Sequence, residues 1–436
     1  MASIAQQESQ SISQNVRMGI QYRFQQGKGR MNTARFLGLT RDPAGEGLII
    51  VPEEAELVRR IYRSYLDGFS PGMIAARLTD EGIPAPAGGA TWYQTTVASI
   101  LSNEKYAGDL LLQKYYTEDF LTHRVVRNTG QLPRYYVEDA HEPIVPKEVF
   151  RQVQGELRRR ASLKRDPAKL RFGSSLALSG RLLCGRCGRT MKRYRKTPET
   201  ETDWRCRDRA ARSRRDTPGV CGCRNVRETE VKRAVLAAFN ALPARRDELI
   251  RAQERLRSGD IRRIDALTAA LTQQRDRLEL RLEALEAEET GDGGESERAF
   301  LEEELLRLRE ERETLLLERA EHAARELQVR LLLELADEMK EVRERTMEAL
   351  LAGEAPTAPA RPAAEPQPPA CRDYEAFFRR TRYRLPAELR NPAGEIVRFD
   401  NDMVIRYLDH VTVLDDGCRI RFKAGLDLEI RTEKGP

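Results

Sequence analysis

The stretch Leu183-Cys-Gly-Arg-Cys-Gly188, continued by Trp204-Arg-Cys206 and Cys221-Gly-Cys223, decides how the middle of this chain folds. Two cysteines separated by two residues present both thiolates from one tight turn, and a second pair completes the tetrahedral shell that zinc prefers. The spacing therefore predicts a zinc ribbon with Zn²⁺ as its cofactor, held by Cys184, Cys187, Cys206 and Cys221. Cys223 stays open as an alternative to Cys221 for the fourth ligand.

The most basic part of the chain surrounds these cysteines. Between Arg151 and Val220 there are 21 Lys and Arg residues against 7 Asp and Glu, a local net charge of +14. The whole chain carries +6, which leaves −8 for everything outside that stretch. Arginines crowding a metal-pinned loop are typical of phosphate contact, so the pattern predicts DNA as the partner, with a purely structural ribbon as the alternative. The loop arginines are Arg205, Arg207, Arg209, Arg212, Arg214 and Arg215.

Length and composition exclude several other classes of protein. The chain has 436 residues, so about two to four domains are expected. Charged residues make up 33% of it and aromatic residues 6%, which favours long exposed helices over one large enzyme core. It has neither a run of about 18–20 apolar residues nor the apolar core of a signal peptide. Five of the seven cysteines cluster, as metal ligands do in a reducing compartment, so we expect a cytoplasmic protein without a membrane partner.

Three helices in the first third of the chain form a helix-turn-helix pattern. Apolar residues at helical spacing predict one helix over residues 52–66 and a second from Pro71 to Leu78. The third covers Gln94 to Leu101, after a Gly/Pro-rich turn at residues 80–90. Such an arrangement can place a helix in the DNA major groove, although most two-helix patterns bind nothing. A strand-rich segment follows, and its basic residues, Arg124 among them, fit either a solvated hairpin or a ribbon beside a nucleic-acid backbone.

Two long helical stretches separated by Gly291-Asp-Gly-Gly294 predict an antiparallel coiled-coil hairpin. The first arm has an apolar seam at Ile264, Leu267, Leu271, Leu278 and Leu285, and the second at Leu301, Leu305, Leu308 and Leu315. The C-terminal strands need a partner sheet, and the strand-rich zinc module is the natural one. We therefore expect an α+β multidomain fold in which the coiled coil is an insertion in the zinc domain.

Further motifs occur in order along the chain. They include Gln7-Glu-Ser-Gln-Ser-Ile-Ser13, Phe36-Leu-Gly38, Tyr106-Ala-Gly108-Asp109, His141-Glu142-Pro143 and Ala177-Leu-Ser-Gly180. Together with the cysteine motifs, they resemble the C-terminal part of a large serine recombinase, the type of phage integrases and transposon resolvases. The resemblance covers nearly the whole chain. Asn225-Val226 follows Cys221 at the spacing of the family's ribbon, which favours Cys221 over Cys223.

The residue patterns and the resemblance together divide the chain into segments. They are the terminal helix of a catalytic domain (1–28), a recombinase DNA-binding domain containing the helix-turn-helix (29–157), a basic linker (158–172), the zinc-ribbon domain (173–245), the coiled-coil hairpin (246–350), a Pro/Ala linker (351–371) and C-terminal strands that complete the zinc domain (372–436).

The resemblance implies sequence-specific binding of double-stranded DNA at the attachment sites of a site-specific recombinase, bacterial or phage-encoded, that serves the integration of a mobile genetic element. Base edges would be read by Gln94, Thr95, Thr96 and Ser99. Phosphates would be bound by Arg17, Arg23, Lys28 and Lys105, with Arg124, Arg205 and Arg207 as further DNA contacts.

In that family the nucleophilic serine lies in an N-terminal domain, of which this sequence resembles only the last helix. No catalytic residue is therefore assigned, and we expect this chain not to cut DNA by itself. The coiled coil would pair protomers into a dimer or tetramer on DNA. The alternative is a non-enzymatic DNA-binding regulator with a coiled-coil dimerisation arm, and a weaker one is a coiled-coil scaffold with a structural ribbon.

Overall fold

The computed structural model describes most of the chain after residue 35. The described residues are 15–16, 18–20, 22–24, 33, 36–43, 47–86, 88–117, 124–165, 177–195, 201–208, 221–257, 260–287, 292–352, 377–378, 386–391, 393 and 395–432. Contacts divide the chain into two compact units. The first comprises Met1–Arg63, Ile74–Phe150 and Ala364–Arg380, and the second Ser64–Met73, Arg151–Ala363 and Thr381–Pro436.

Several predicted features lie outside the described residues. They are Arg17, Lys28, Arg209, Arg212, Arg214, Arg215, residues 166–172 of the basic linker, Gly291 of the turn predicted at Gly291–Gly294, and residues 353–371 of the Pro/Ala linker. The other three residues of that predicted turn are helical. Of the predicted N-terminal helix, residues 15–16, 18–20 and 22–24 are described, and they are helical. Within the described part of the chain, we find no helix with the length and apolar character needed to cross a membrane.

The first unit begins with an antiparallel hairpin of strands β1 (Leu39–Arg41) and β2 (Leu48–Ile50), which leads into helix α1 (Pro52–Asp67). The last four residues of α1 belong to the second unit. A proline and two glutamates in the first turn of α1 suit a helix start, because proline fixes the backbone and carboxylates favour the positive end of the helix dipole. One face of α1 is fully buried, and its residues include Ala55, Val58, Ile61 and Tyr62.

Helices α2 (Pro71–Asp80) and α3 (Gln94–Leu101) follow, and α3 has the bounds expected from the sequence. The buried Trp92 fixes the connection between them. Its backbone N–H donates to the Thr79 hydroxyl at 2.9 Å, and its indole N–H donates to the Ile83 carbonyl at 2.9 Å. Because both N–H groups of Trp92 are satisfied by residues at the end of α2 and in the turn, the start of α3 is held in one orientation.

Two short strand pairs complete the first unit. Strands β3 (Leu110–Leu112), β4 (Tyr115–Thr117), β5 (Val125–Arg127) and β6 (Tyr135–Val137) form the antiparallel pairs β3–β6 and β4–β5. Gln113, between β3 and β4, has a φ of 59°, a backbone conformation that non-glycine residues seldom adopt. Its carbonyl accepts from the Asn128 side-chain amide at 3.0 Å, which ties the two strand pairs together.

Helix α4 (Lys147–Arg165) continues into the segment 158–172 that the sequence assigned to a basic linker, so residues 158–165 of that segment are helical. The physical reason is local pairing along the helix. Glu156 accepts from the Arg159 Nε at 2.6 Å and from the Arg160 Nε at 2.5 Å, one turn further on. Arginine also has a high helix propensity, so a run of arginines need not end a helix.

The second unit contains two sheets. Its strands are β7 (Leu182–Cys184), β8 (Met191–Tyr194), β9 (Asp203–Cys206), β10 (Val226–Arg227), β11 (Leu408–Val413), β12 (Gly417–Phe422) and β13 (Asp427–Arg431). One sheet has the order β10-β9-β8 and the other the order β13-β12-β11-β7. Leu182 pairs with Val411 in the parallel ladder between β7 and β11, so the C-terminal strands share a sheet with the strand that carries Cys184.

Helices fill the sequence between these strands. They are α5 (Glu228–Asn240), α6 (Arg246–Arg257), α7 (Asp260–Ala287), α8 (Asp292–Ala352) and α9 (Asn401–Tyr407). Ion pairs join Arg281 to Glu297 at 3.0 Å and Arg319 to Asp265 at 2.6 Å. Residue numbers rise along α8 as they fall along α7, so these two helices run antiparallel.

The buried side of α7 follows the predicted apolar seam only in part. Ile264 and Leu285 are buried as expected, but Leu267 is 44% exposed. Thr268, one residue after Leu267, is half-buried instead. Between the predicted positions Leu278 and Leu285, the half-buried residue is Leu282, whereas Arg281 is exposed. In a helix of 3.6 residues per turn, the next residue on the same face can lie either three or four positions further on. The apolar side chain of Leu267 favoured a spacing of three after Ile264, whereas the structure partly buries Thr268, four residues after it.

Candidate metal centre and nucleic-acid interface

Four cysteine thiols converge in the second unit. Cys184 ends β7, Cys187 lies in the turn that follows, Cys206 ends β9, and Cys221 lies shortly before β10. The turn closes with hydrogen bonds from the Gly188 N–H to the Cys184 carbonyl at 2.8 Å and from the Cys184 N–H to the Arg189 carbonyl at 2.9 Å. The two sheets thus bring together all four cysteines that the sequence singled out.

The sulfur geometry fits a tetrahedral metal. All four Sγ atoms lie within 4.8 Å of one another. Cys184 and Cys221 are 3.6 Å apart, and Cys187 and Cys206 are 3.4 Å apart. Four bonds of about 2.3 Å to one zinc ion would place the sulfurs about 3.8 Å apart, close to these separations. The cluster can therefore bind a metal, and its all-thiol donor set suits zinc.

Backbone donors favour the thiolate that a metal needs. Burial raises the pKa of the Cys184 thiol, but the Cys187 and Arg186 N–H groups and the neighbouring thiols more than offset this and lower its pKa to about 7. Burial also raises the pKa of Cys187. Thiols packed together without a cation cannot all ionise, whereas a divalent cation would favour the thiolate form of all four.

Cys223 lies beside the cluster rather than within it. Its thiol is buried and interacts with Cys184, and burial raises its pKa. The group of four whose sulfurs all lie close together contains Cys221 instead. The Cys221 N–H donates to the Asp208 carboxylate at 3.1 Å, and Asp208 also pairs with Arg189 at 2.5 Å. Asp208 was missed by the sequence reasoning, although its position two residues after Cys206 could have marked it.

The C-terminal strands support the first cysteine turn directly. The Gly185 N–H donates to the Val413 carbonyl at 2.9 Å. A Cβ at position 185 would lie 2.6 Å from that carbonyl oxygen, so only glycine fits without a shift. This role of β11 was not visible in the sequence, because nothing in the spacing of the cysteines points to a residue more than two hundred positions away.

The outer face of the β8-β9-β10 sheet is basic. Lys192 pairs with Arg205 across the strands, and Tyr194 and Arg227 both flank Asp203 in the ladder. The Arg205 guanidinium lies 3.6 Å from the centre of the Tyr194 ring, a cation–π stack. We call Lys192, Tyr194, Arg205 and Arg227 the ribbon face. The alternate residues of β9, Trp204 and Cys206, are buried.

Other arginines of the ribbon are paired with carboxylates. Arg186 pairs with Asp415 at 3.1 Å, and Arg193 pairs with Glu228 at 2.9 Å. Charge counting along the sequence treated these side chains as available to a partner, but each already has a counter-ion. Arg205 also pairs with a carboxylate, Asp203, but at 3.7 Å this ion pair is longer than those of Arg186 and Arg193. Arg207 is half-buried.

The predicted base-reading residues lie along α3 in the first unit. Gln94, Thr95 and Ser99 are exposed, and Thr96 is half-buried. Thr95, Thr96 and Ser99 line a groove of about 370 Å³ whose other wall includes Phe36 and Leu37. The first turn of α3 contains no acidic residue, so no carboxylate opposes an approaching phosphate there.

The remaining predicted DNA contacts are placed differently. Arg23 and Arg124 are exposed. Lys105 is only 16% exposed at its side chain and pairs with Glu104 at 3.3 Å, while Lys114 pairs with the other oxygen of Glu104 at 2.5 Å. Burial also lowers the pKa of Lys105. This placement argues against Lys105 as a phosphate contact, because its ammonium is already engaged and largely withdrawn from solvent.

Comparison with protein families matches two segments of the chain. Residues 52–160 match the family model described as Recombinase. Residues 177–240 match the family model described as the Recombinase zinc beta ribbon domain. The first match contains α1 to α3 and most of α4, and the second contains all four clustered cysteines. The chain therefore carries two recombinase-type domains in this order within a mixed α/β fold.

Comparison with individual proteins gives more limited likenesses. A putative DNA recombinase of Bacillus subtilis (strain 168) is 30% identical over 155 residues, which are 33% of this chain and 30% of that protein. The match thus spans less than a third of the relative's length. A solved structure described as the crystal structure of an LSR–DNA complex is 14% identical, with a TM-score of 0.34, over 97% of this chain and 100% of that one.

Proposed function

We propose that this chain is the DNA-recognition portion of a large serine recombinase and binds double-stranded DNA at recombination attachment sites. The observation that carries the proposal is the ordered pair of recombinase and recombinase zinc-ribbon matches on one chain. The four-thiol cluster inside the second match and the basic ribbon face beside it support the same function. Cutting and rejoining of DNA belong to this proposal as the activity of the whole recombinase.

The ribbon face would bind the DNA backbone. Lys192, Arg205 and Arg227 place three positive charges on one side of the sheet, and the single carboxylate among them, Asp203, pairs with Arg205 at 3.7 Å. Phosphate contacts dominate the affinity of DNA-binding proteins, so this net positive face favours the DNA backbone. The Tyr194 ring holds the Arg205 guanidinium from below, which limits the rotamers that the arginine can adopt. A preorganised arginine loses less side-chain entropy when it binds a phosphate.

Helix α3 would supply sequence specificity. Its exposed polar residues lie at the N-terminal end, where side chains of a recognition helix reach base edges in the major groove. Trp92 fixes this end of the helix through two hydrogen bonds. Gln94 is the side chain best suited to a bidentate contact, since its amide can both donate to and accept from an adenine edge.

Zinc would act as a structural cofactor. Cys184, Cys187, Cys206 and Cys221 would hold it, and when bound it cross-links β7 and β9 to the loop before β10. The α7–α8 pair would mediate contact between protomers on DNA, since its surface is acidic overall and so repels phosphate. Between Asp265 and Arg319 there are 17 Asp and Glu against 8 Arg.

The test begins with selection of binding sites from a pool of 40-base-pair duplexes with randomised centres. The purified chain should enrich a defined sequence, and Arg205→Gln should reduce affinity for it by about tenfold (~1.4 kcal/mol) at physiological salt. The slope of log K against log salt should fall in magnitude by about 0.9, as expected for one lost phosphate contact. Arg419→Gln is the matched control, because Arg419 is an exposed strand arginine paired with Glu429 elsewhere in the second unit.

Two outcomes would contradict the proposal. Absence of any enriched sequence would refute specific recognition, and equal losses in the Arg205 and Arg419 variants would remove the ribbon face from the interface.

Recombination is then tested by joining a serine recombinase catalytic domain before Met1. Recombination between two copies of the selected site favours a recombinase, whereas binding alone favours a non-enzymatic regulator.

A further inference from the structure

The C-terminal end of α1 is surrounded by cations from other parts of the chain. The last four carbonyls of any helix lack partners within the helix, and the negative end of the helix dipole favours positive charge there. The last turn of α1 contains no basic residue of its own. The carbonyls of Tyr65, Asp67 and Phe69 nevertheless all accept hydrogen bonds from basic side chains.

Helix α4 contributes one of these cations. Arg160 donates from Nη1 to the Phe69 carbonyl at 3.0 Å and from Nη2 to the Tyr65 carbonyl at 3.2 Å. Its guanidinium carbon also lies 4.2 Å from the centre of the Tyr65 ring. Both arms of the guanidinium are therefore used on the backbone at the end of α1, while its Nε holds Glu156.

The C-terminal segment contributes the other two cations. The Lys423 Nζ, just beyond β12, donates to the Asp67 carbonyl at 2.8 Å. Arg406, on α9, pairs with the Asp67 carboxylate at 2.5 Å. One residue of α1 thus binds the C-terminal segment through both its backbone and its side chain.

The approach of Lys423 requires a glycine. Gly68 has a φ of +113°, and a Cβ there would lie 2.6 Å from the Lys423 Nζ and 2.8 Å from the Ile405 carbonyl oxygen. The Gly68 N–H donates to the Tyr65 carbonyl and the Phe69 N–H to the Ser64 carbonyl, each at 3.1 Å. These two amides report directly on whether the corner at the end of α1 is closed.

The basic side chains in this contact lie close together, which is unfavourable for the stability of the fold. Burial lowers the pKa of Lys423, and the nearby Arg181 and Arg160 lower it further, against the opposing effect of Asp67 and Glu156. Replacing buried charged groups by apolar residues of similar size is often neutral or stabilising. A buried lysine beside two arginines is therefore better explained by the geometry that it imposes than by the stability that it adds.

We infer that Lys423 and Arg406 are positioning residues that clasp the end of α1 and fix the Ser64–Met73 corner between α1 and α2. The C-terminal segment then has a role beyond completing the sheet that carries Cys184. It orders the corner from which the helix-turn-helix pattern starts, so its loss would loosen the elements that precede α3. This consequence for DNA binding rests on the proposed function, whereas the clasp itself does not.

Hydrogen exchange followed by mass spectrometry on the full chain tests the clasp. Lys423→Met should speed exchange of the amides in Ser64–Met73 by at least about tenfold, while the amides of β13 and the zinc content stay unchanged. Arg421→Met is the matched control, because Arg421 lies two residues away on β12 and pairs with the exposed Asp427 at 2.9 Å. Unchanged exchange in the corner would overturn the inference, as would an equal increase in the control.

A second variant covers the case in which Lys423→Met unfolds the second unit. Asp67→Asn removes only the carboxylate that Arg406 binds and leaves the sheet untouched. It should speed exchange in Ser64–Met73 by at least about threefold. Arg406→Gln should have a smaller effect in the Asp67→Asn background than alone, since only its contact with the Phe69 ring at 5.8 Å then remains to be lost. Independent effects of the two substitutions would refute the clasp. A variant whose corner amides exchange faster should also bind DNA more weakly. If the unsubstituted chain itself binds no DNA, that result counts against the proposed function and leaves the inference about the corner intact.

Discussion

The ribbon and the α7–α8 pair are stabilised in opposite ways, although both lie in the second unit. The ribbon consists of strands of two to four residues around four thiols, with a core too small to hold by itself. The helices are 28 and 61 residues long and meet along a repeated seam. Stability is concentrated in one ligand set in the ribbon and is distributed over many side chains in the helix pair. A single substitution should therefore have very different effects in the two regions.

Removing one thiol should produce the largest effect. Cys206→Ser should abolish metal binding and unfold the ribbon, since structural zinc contributes roughly 10–16 kcal/mol to such modules. Metal analysis and proteolysis within residues 177–227 would measure this loss. Cys223→Ser is the control, because Cys223 lies beside the group of four. Full zinc content in the Cys206 variant would remove the site, and equal loss in both variants would reopen the choice of fourth ligand.

The same contrast explains what the sequence could predict. The cysteines were identifiable because ligand chemistry depends on residue type and short spacing, and the structure brings those four together. The seam of α7 depends on choosing between spacings of three and four, and the choice of Leu267 was wrong. The bounds of α3 were predicted well, because the turn before it and the apolar face within it are both local signals.

Long-range features could not be predicted from local patterns. The parallel pairing of β7 with β11 joins Leu182 to Val411, and the expectation of a shared sheet named neither strand order nor direction. Charge counting likewise treated basic residues as available, whereas Lys105, Arg186 and Arg193 have carboxylate partners in the structure. Which charges are neutralised is a property of packing, so the net charge of a stretch overstates its positive surface.

A seam substitution should have a smaller but measurable effect. Leu308 is 2% exposed on α8, so Leu308→Ala should destabilise the helix pair by about 2–5 kcal/mol through lost burial and a cavity. Leu267→Ala should change stability by no more than about 0.5 kcal/mol, because that side chain is largely in solvent. Hydrogen exchange within α7 and α8 would measure both. Equal destabilisation by the two substitutions would mean that Leu267 does belong to the buried seam. Unfolding of the ribbon by Leu308→Ala would mean that the ribbon and the helix pair are not stabilised separately.

The pH dependence of stability that arises from Lys423 probes the second unit without substituting a thiol, because comparison with Lys423→Met cancels the titration of the cysteines that both chains share. Its pKa is lowered by burial to about 7 in the folded chain, against about 10.4 when unfolded. Below pH 7 both states are protonated, and between pH 7 and 10 the unfolded state binds more protons. Stability from this group therefore rises with pH across that window. The gain in Tm from pH 6.5 to 9 should be about 2–4 °C larger for the native chain than for Lys423→Met. Equal gains in Tm for the two chains would contradict a pKa of Lys423 that is lowered by burial.

The smallest effect, measured as affinity for a single DNA site, is expected from removing most of the helix pair, although this is the largest change to the chain. Deleting Asp265 to Arg319 cuts α7 and α8 at an ion pair that joins them, so a short glycine linker can bridge the ends. The contacts of α8 with Arg246 and Arg390 remain, because they involve Asp337 and Glu338 beyond the cut. The deleted segment is acidic overall, so its loss should not remove phosphate contacts.

Affinity for one selected DNA site should therefore change by less than about tenfold (~1.4 kcal/mol), while bridging of two DNA molecules should be lost. Titration of a labelled duplex measures the first quantity, and pull-down of a second duplex by an immobilised one measures the other. A larger loss of single-site affinity would place the helix pair in the DNA interface. In that case the ribbon and the α7–α8 pair would both contribute to DNA binding, although they are stabilised differently. An acidic helix pair cannot gain affinity from phosphates, so it would have to act by orienting the ribbon face.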